Sequence, residues 1–299
     1  MRFYRLLISY YTCMVDSLST EKYGIVIKPN STIAKEIALK VIKVLTKYNK
    51  QPILEKESKE NYSDINTIDD FNIEINPPSK IIVIGGDGTL LRTVMREKTG
   101  NSIIMAIRAG KRGFMLDVEE YEVENKVYEF INNKFTLVEY PRLQPIFNGE
   151  TKNCAMNDIV IFTSDGSLVK LDAYYNGDRI YGVDGDGIVV STTIGSTAYS
   201  LSAGGPIIDP RLNSIILTPL NPVQLHIRPV VLPYSGYIDI NIKDDSGNYF
   251  INIDGQEKIP SRSKSSLRIT LCDKPAKIAR FRWWENYYER LFSRLLSYW

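Results

Sequence analysis

The most constraining feature of this chain is an apolar run that ends in a cluster of glycines around one acidic residue. Ile81–Ile84 is followed at once by Gly-Gly-Asp-Gly-Thr at positions 85–89. A short all-apolar run is typical of a strand buried on both faces, as in a parallel sheet covered by helices. Glycines allow backbone conformations that other residues avoid, and they let a ligand approach main-chain N–H groups. The stretch therefore predicts a buried strand that delivers a phosphate-binding loop to a helix, which would open at Thr89.

The rest of the chain changes its pattern near Pro141. Before it, apolar runs such as Tyr23–Ile27 and Ile103–Ile107 are each followed by apolar residues at helical spacing, which predicts βαβ units. After it, short alternating runs are separated by turn signals such as Asn148-Gly149 and Asn176-Gly177. The fold class predicted is an α/β domain with a parallel sheet, followed by a β-rich, antiparallel, sandwich-like domain.

Four segments follow from these patterns, since a chain of 299 residues normally splits into more than one domain. The last twenty residues carry apolar side chains at helical spacing, including Tyr287, Tyr288, Leu291 and Phe292. They predict a C-terminal helix that docks on the first domain or at a subunit interface. The predicted segments are an N-terminal extension (1–21), an α/β domain with the phosphate loop (22–140), a β-rich nucleotide-binding domain (141–272) and a C-terminal segment returning to the α/β domain (273–299). The polar stretch 55–79 predicts a surface excursion.

Composition and patterning exclude several classes of protein. The chain has 37 Lys and Arg against 35 Asp and Glu, which is too balanced for a dedicated nucleic-acid binder. Its longest uncharged window, Gly187–Ile208, is interrupted by hydroxyl residues and glycines, so it predicts no membrane span. The three cysteines, Cys13, Cys154 and Cys272, are far apart and odd in number. We therefore predict no disulfide framework and no cysteine metal site, and a reducing cytoplasm fits best.

Two stretches carry candidate chemistry. A carboxylate beside a phosphate loop can accept a proton from an attacking hydroxyl or hold Mg²⁺ through water. In phosphoryl transfer the proton leaves late, so orientation matters more than basicity, and Asp87 is our candidate general base. The tract 185–206 is rich in glycine and hydroxyl residues that can bind the ribose and base of a nucleotide, with Tyr199 available for stacking. The alternative interpretations are a strained turn with Asp87 capping the next helix, and ordinary loops of a β domain.

The motifs of this chain, taken together, resemble those of NAD kinases. They are Gly-Gly-Asp-Gly-Thr at 85–89, Met-Asn-Asp at 156–158, Asp-Gly at 186–187 with Ser-Thr-x-x-Gly-Ser-Thr-Ala-Tyr-Ser-Leu-Ser-Ala-Gly-Gly-Pro at 191–206, and Asp-Gly-Gln at 254–256. The resemblance covers about residues 22–285, and the tract at 191–206 is its most specific part. Gly-Gly-Asp-Gly-Thr alone is less specific, because diacylglycerol kinases, sphingosine kinases and phosphofructokinases carry similar loops.

The resemblance implies transfer of a phosphoryl group from ATP or polyphosphate to the 2′-hydroxyl of the adenosine ribose of NAD. It implies that Asp87 accepts the proton, that Mg²⁺ or another divalent metal accompanies ATP, and that the protein has no metal site of its own. The implied dinucleotide contacts are Asp87, Gly88, Phe114, Asn157, Asp158, Asp186, Thr197, Ala198, Tyr199, Ser200, Leu201, Ser202 and Gln256. The implied phosphate contacts are Gly85, Gly86, Gly88, Thr89 and Arg92. A cytoplasmic homodimer or homotetramer that binds neither nucleic acid nor membranes is expected.

Three departures from the family pattern concern the details of the site. Thr193-Ile194 stands where many members have Pro-Thr or Pro-Ser, and Asp158 stands where Glu is commoner. Asp184 occupies a position that is often basic, so another residue would have to supply the positive charge that neutralises the phosphates. The candidates for that role are Arg92, Lys111 and Arg112. Two other functions stay open at this point, namely a lipid kinase of the diacylglycerol or sphingosine type that shares the loop, and a dinucleotide-binding sensor without transfer activity.

Overall fold

The computed structural model describes residues 21–65, 69–110, 113–163, 165–243, 246–262, 264–282, 285 and 287–296, with the backbone alone for 294–296. Most of the predicted N-terminal extension (1–21), together with Lys111 and Arg112, lies outside these residues. The chain divides into two compact units. The first contains the residues up to Gly86, Ser102–Thr136 and the residues from Ala279 onward, and the second contains Asp87–Asn101 and Leu137–Ile278.

One seven-stranded sheet has the order β3-β2-β1-β4-β5-β19-β6; strands β1 to β5 lie in the first unit, and the division between the units falls within β6 and β19. Strands β1 to β5 pair in parallel, and every residue of β4 is buried, as its apolar sequence predicts. The strands of this sheet are β1 (Lys22–Ile27), β2 (Gln51–Glu55), β3 (Asp70–Phe71), β4 (Lys80–Gly85), β5 (Ile103–Arg108), β6 (Thr136–Tyr140) and β19 (Ala276–Arg280).

Helices surround this sheet and supply the rest of its core. They are α1 (Thr32–Lys47), α2 (Lys56–Asn61), α4 (Val123–Ile131) and α6 (Tyr287–Leu296). Helix α1 begins after Ser31, whose hydroxyl accepts a hydrogen bond from the N–H of Ala34 at 3.3 Å, as an N-cap does. The helix presents Ile37 and Val41 to the core. The parallel α/β domain predicted from the sequence is confirmed.

Two details of the first unit differ from the sequence prediction. The stretch 55–79 is not a simple surface excursion, because it contains α2 and β3 and buries Tyr62 and Phe71. The C-terminal helix is present, but its buried stripe is narrower than predicted. Tyr287 and Leu291 are buried, whereas Tyr288 and Phe292 are about half exposed. In both cases the spacing of apolar residues identified the element without deciding which of them meet the core.

The second unit contains two six-stranded sheets, with the orders β11-β10-β15-β18-β7-β8 and β14-β13-β12-β9-β16-β17. All pairings given for these strands are antiparallel, which confirms the predicted β-rich domain. The strands are β7 (Leu143–Phe147), β8 (Glu150–Thr151), β9 (Asp158–Thr163), β10 (Val169–Tyr175), β11 (Asp178–Gly185), β12 (Gly187–Thr192), β13 (Ser214–Leu220), β14 (Val230–Pro233), β15 (Ile238–Ile242), β16 (Tyr249–Ile253), β17 (Glu257–Ser261) and β18 (Ser265–Leu271).

The second unit also contains two helices. They are α3 (Asp87–Arg96), whose Met95 packs into the core of this unit, and the short helix α5 (Tyr199–Ser202). The predicted hairpin turns are confirmed, since Asn148 and Gly149 have φ of 49° and 83°. Among the described residues of the chain, no helix is long and apolar enough to cross a membrane.

Cys154 and Cys272 form a disulfide, although the sequence predicted no disulfide framework. The two residues are 118 positions apart, and only the tertiary fold brings their Cα atoms to 6.2 Å. Cysteine spacing along the chain could not reveal this pair, because it does not belong to a compact cysteine framework. The bond closes a long loop in the second unit, and cross-links of long loops restrict the unfolded chain most.

We expect the double variant Cys154→Ser, Cys272→Ser to unfold more easily than the wild type. The expected loss is about 2–4 kcal/mol of unfolding free energy under oxidising conditions, because the unfolded chain gains the freedom of the closed loop. Urea unfolding with and without dithiothreitol measures it. The reductant should bring the wild type to the stability of the double variant and leave that variant unchanged. Cys13→Ser is the matched control, and a wild type insensitive to reductant would contradict the prediction.

Candidate functional site

Asp87 is the first residue of α3 and directly follows the glycines at the end of β4. The helix thus begins two residues before Thr89, where the sequence predicted its start. The side chain of Asp87 is partly buried, and Gly88 is exposed. A Cβ added at Gly88 would have no protein atom within 4 Å. The helix start is therefore open to a ligand next to the carboxylate, at the end of the helix that favours anions.

The pair Asn157 and Asp158 lies at the start of β9, in the middle of one of the antiparallel sheets. Both side chains are buried, and only 6% of Asp158 is exposed. The pKa of the Asp158 carboxyl is raised to about 7, mainly by burial and in smaller part by the nearby charge of Asp254. The N–H of Tyr199 donates to this carboxyl and acts in the opposite direction. The surroundings of Asp158 therefore disfavour its ionised form, and such a perturbed pKa is common among functional residues.

The hydroxyl and glycine tract packs directly on this pair. The N–H of Thr192 donates to the carbonyl oxygen of Asn157 at 2.9 Å, and its hydroxyl donates to that of Met156 at 2.7 Å. A Cβ at Gly195 would lie 2.1 Å from the carbonyl oxygen of Asn157, so only glycine fits there. A turn of 3₁₀ helix over Ile194–Thr197 then leads to α5. The structure therefore brings two of the sequence motifs into one place.

A cleft of about 450 Å³ is lined in part by residues of the tract. Three of the predicted contact residues line it, namely Asp186, Tyr199 and Ser202. Its other lining residues are Phe162, Thr163, Gly166, Ala203, Leu220 and Asn221. The carboxylate of Asp186 accepts a hydrogen bond from the side-chain amide of Asn221 at 2.7 Å. Aromatic surface, hydroxyls and a carboxylate in one cleft suit a polar ligand with a flat ring.

The remaining predicted contacts have varied surroundings. Thr197, Ala198 and Leu201 are partly exposed, and Gln256 is exposed at the turn after β16. Ser200 is fully buried, and its hydroxyl is hydrogen-bonded to that of Thr218 at 2.9 Å. In α3, Thr89 and Arg92 are partly buried, and the hydroxyl of Thr93 donates to the carbonyl oxygen of Thr89 at 2.8 Å. In the first unit, Gly85 is buried at the end of β4, and Gly86 and Phe114 are partly buried.

Two buried charged residues beside this site were given no role from the sequence, although Asp254 belongs to the 254–256 motif. Asp254 lies in the turn between β16 and β17, and Arg142 precedes β7. The Asp-Gly turn between alternating isoleucines could have located Asp254 as a hairpin residue. It could not have shown that the carboxylate turns back onto Met156–Asp158. Nothing local marks Arg142, because a lone arginine is most often exposed.

We expect the stability of the protein to depend on pH through Asp158. The pKa of Asp158 is raised in the folded state above its ordinary value of 3.8, so the fold favours the protonated form. The unfolding free energy contributed by this residue is therefore complete below about pH 4 and is lost as the pH rises through about 7. Between pH 5 and pH 8 the unfolding free energy of the wild type should fall relative to that of Asp158→Asn. Urea unfolding over this range measures the effect. Asp178→Asn, at an exposed position, is the control, and parallel profiles for Asp158→Asn and the wild type would contradict the prediction.

The resemblance noted from the motifs extends to whole proteins. A family model described as the ATP-NAD kinase C-terminal domain matches residues 156–281. A NAD kinase from Aeropyrum pernix is 43% identical over 277 residues, which are 92% of this chain and 98% of that protein. A NAD kinase from Thermococcus sibiricus is 31% identical, with 87% of this chain and 94% of that protein covered.

Solved structures agree in fold. The crystal structure of yeast NADH kinase complexed with NADH has a TM-score of 0.83 and 24% identity, and the match covers 94% of this chain and 89% of that one. A NAD kinase from Archaeoglobus fulgidus in complex with ATP has a TM-score of 0.75 and 21% identity, with 92% and 99% covered. None of these comparisons favours the lipid-kinase or sensor alternatives. Because a relative of 43% identity is matched along nearly its whole length, the chain belongs to the NAD kinase family.

Proposed function

We propose that this protein transfers a phosphoryl group from ATP, or from polyphosphate, to the 2′-hydroxyl of the adenosine ribose of NAD and so makes NADP. One observation carries the proposal. The Asn157-Asp158 pair and the tract from Thr192 to Tyr199 are separate motifs of the family, and here they are joined by hydrogen bonds and by the close approach of Gly195 to Asn157. Family membership, established from whole-chain similarity, agrees with it.

The proposed reaction uses Asp87 as the proton acceptor. The oxygen of the 2′-hydroxyl attacks the terminal phosphorus, its proton passes to the carboxylate of Asp87, and the bond from that phosphorus to the ADP oxygen breaks. The open backbone at Gly88 and the N-terminus of α3 suit the transferred phosphoryl group. We assign the other phosphate contacts to Gly85, Gly86, Thr89 and Arg92. Positioning and charge stabilisation do most of the work in such transfers, because the transition state is loose.

The dinucleotide contacts that we propose are the predicted ones. Asn157 and Asp158 offer amide and carboxylate groups for the adenine and ribose, and Tyr199 offers a ring for stacking. The further proposed contacts are Gly88, Phe114, Asp186, Thr197, Ala198, Leu201, Ser202 and Gln256. Ser200 is proposed as a contact from the family motif alone, because its hydroxyl is already hydrogen-bonded to that of Thr218.

We also propose that Mg²⁺ enters with ATP. Among the described residues no group of three or more His, Cys, Asp or Glu side chains is arranged to hold a metal. Mg²⁺ binds readily through nucleotide phosphates and water, where it neutralises developing charge. No step assigned here to a residue of the chain depends on it. A homodimer or homotetramer in the cytoplasm completes the proposal. Both the assembly and the location rest on the family resemblance, because the disulfide removes the cysteine argument for a reducing compartment. Light scattering of the purified protein tests the subunit number.

The experiment that tests the function is an acceptor and donor panel with the purified protein. NAD with Mg²⁺ and ATP should yield NADP, and NADH and polyphosphate should be run in parallel to fix acceptor and donor. Sphingosine and diacylglycerol serve as control acceptors. Phosphorylation of either lipid without NADP formation would contradict the proposal, as would NAD binding in calorimetry with no transfer from any donor.

A further inference from the structure

Asp254 holds the backbone of the Asn157-Asp158 segment. One carboxylate oxygen accepts the N–H of Met156 at 2.6 Å, and the other accepts those of Asn157 and Asp158 at 2.7 and 3.0 Å. In return, the N–H of Asp254 donates to the carbonyl oxygen of Asp158 at 3.0 Å. The turn between β16 and β17 is therefore fastened by four hydrogen bonds to the segment that begins β9.

The chemistry of this contact requires a carboxylate. Three consecutive N–H groups converge on two oxygen atoms, and an amide would present an NH₂ group to one of the donors. Asp254 is only 6% exposed, and it adopts a φ of 51°, which Asp, Asn and Gly tolerate best. Burial raises the pKa of Asp254 to about 6, while the N–H groups and the charge of Arg142 favour the ionised form. A buried carboxylate costs free energy, so its presence beside a site calls for a role.

Arg142 connects this carboxylate to α3, the helix that begins at Asp87. Arg142 is 4% exposed, and its charge interacts with the carboxylates of Glu97 and Asp254. It donates to the carbonyl oxygen of Val94, in the last turn of α3, at 2.9 Å, and to that of Lys274 at 2.7 Å. One buried guanidinium thus joins the C-terminal end of the helix that carries the proposed base to Lys274, and its charge acts on Asp254.

We propose that Asp254 is a positioning residue that fixes Asn157 and Asp158 for dinucleotide binding, and that Arg142 performs the matching task for α3 and thereby for Asp87. The proposal rests on the proposed function and deepens it, because neither residue is among the predicted contacts. The two residues act through backbone groups and not on the substrate. Loss of Asp254 should therefore appear mainly in the binding of NAD, and loss of Arg142 mainly in turnover.

The first test is steady-state kinetics and calorimetry on Asp254→Asn and Asp254→Gly. Both replacements suit the positive φ, but Asn keeps one acceptor oxygen and Gly keeps none. We expect KM and Kd for NAD to rise about 10-fold with Asn and about 100-fold with Gly, since buried N–H groups lose their acceptor. At saturating NAD, kcat should stay within about threefold of the wild type. A purely structural role predicts the reverse, a lower kcat through loss of active protein with KM unchanged, and that outcome would overturn the proposal.

The second test is Arg142→Lys, which keeps the charge and loses the forked geometry. We expect kcat, expressed per NAD-binding site counted by calorimetry, to fall about 10-fold with a smaller change in KM, because a displaced base slows turnover in protein that still binds NAD. A lower kcat that is fully explained by fewer NAD-binding sites would mean a structural role and would overturn the proposal for Arg142. The ion pair of Arg268 with Asp239, at 2.7 Å on the exposed face of β18 and β15, supplies matched controls. Arg268→Lys and Asp239→Asn should leave both constants unchanged. Equal loss of kcat in Arg142→Lys and in these controls would reject the role of Arg142.

A measurement on the wild type covers the case in which the Asp254 variants fail to fold. The N–H groups of Met156, Asn157 and Asp158 should exchange with deuterium as slowly as those inside β9, because each is bonded to a buried acceptor. Exchange as fast as in the exposed turn at Asn176 would overturn the proposal. A wild type that forms no NADP would contradict the proposed function instead, and the Kd comparison for NAD would then decide the role of Asp254 by itself. A wild type that binds no dinucleotide would overturn both.

Discussion

Asp87→Asn is expected to abolish most turnover while NAD still binds. We expect kcat to fall about 10³-fold, within the range of 10²–10⁴ that general acid–base groups contribute, because the amide cannot accept the proton of the 2′-hydroxyl. Asn has nearly the same shape and is itself accepted at the start of a helix, so α3 should still begin at residue 87. The KM and Kd for NAD should change little. Rapid kinetics with ATP, together with calorimetry for NAD, separate the two effects.

The control for this variant is Asp178→Asn, which also removes one negative charge from the second unit but at an exposed position on β11. It should match the wild type in kcat and KM. Full activity of Asp87→Asn would contradict the assignment of Asp87 as proton acceptor. A variant with lowered kcat that has also lost NAD binding would show that residue 87 holds the dinucleotide and would leave the acceptor of the proton to another group.

Features of the fold that depend on residues close together in the chain could be predicted from the sequence. The buried run before Gly85 predicts a strand of the parallel sheet, because only a strand covered on both faces can be apolar throughout. The Asn148-Gly149 turn was equally readable, since both residues need a positive φ and the sequence supplies residues that accept it. The motif at 191–206 was specific enough to indicate the family before any fold was known. In each case neighbours along the chain contained the information.

The misses share a different cause. The bond between Cys154 and Cys272 depends on a separation of 118 residues that only the tertiary fold closes. The role of Asp254 depends on N–H groups almost one hundred positions earlier in the chain. The predicted apolar stripe of α6 included Tyr288, which is about half exposed, because helical spacing does not say how wide a face the partner covers. Long-range contacts of single residues leave little trace in a single sequence.

Gly195→Ala is expected to disable the site through a single added methyl group. In the present backbone that carbon would lie 2.1, 2.6 and 2.8 Å from the carbonyl oxygen, carbonyl carbon and Cα of Asn157. Real Cβ atoms do not approach backbone this closely, and a backbone segment held by Asp254 cannot move aside as a side chain would. The tract and the Asn157-Asp158 pair must therefore separate. We expect NAD affinity to fall at least about 100-fold, and the unfolding free energy to fall by about 3 kcal/mol.

Gly182→Ala is the matched control for this substitution, because it adds the same methyl group to a strand of the same unit. There the added carbon would be too close only to the side-chain ends of Arg179 and Asp172, both at 2.7 Å, which can turn away, and the carbonyl oxygen of Leu171 would lie at an ordinary 3.7 Å. The disturbed ion pair is exposed, so its loss costs less than about 1 kcal/mol. Calorimetry with NAD and urea unfolding on both variants give the comparison. If Gly195→Ala bound NAD as tightly as Gly182→Ala, the tract at 191–206 and the pair at 157–158 would not form one site, and the assignment of the dinucleotide to this place would be lost.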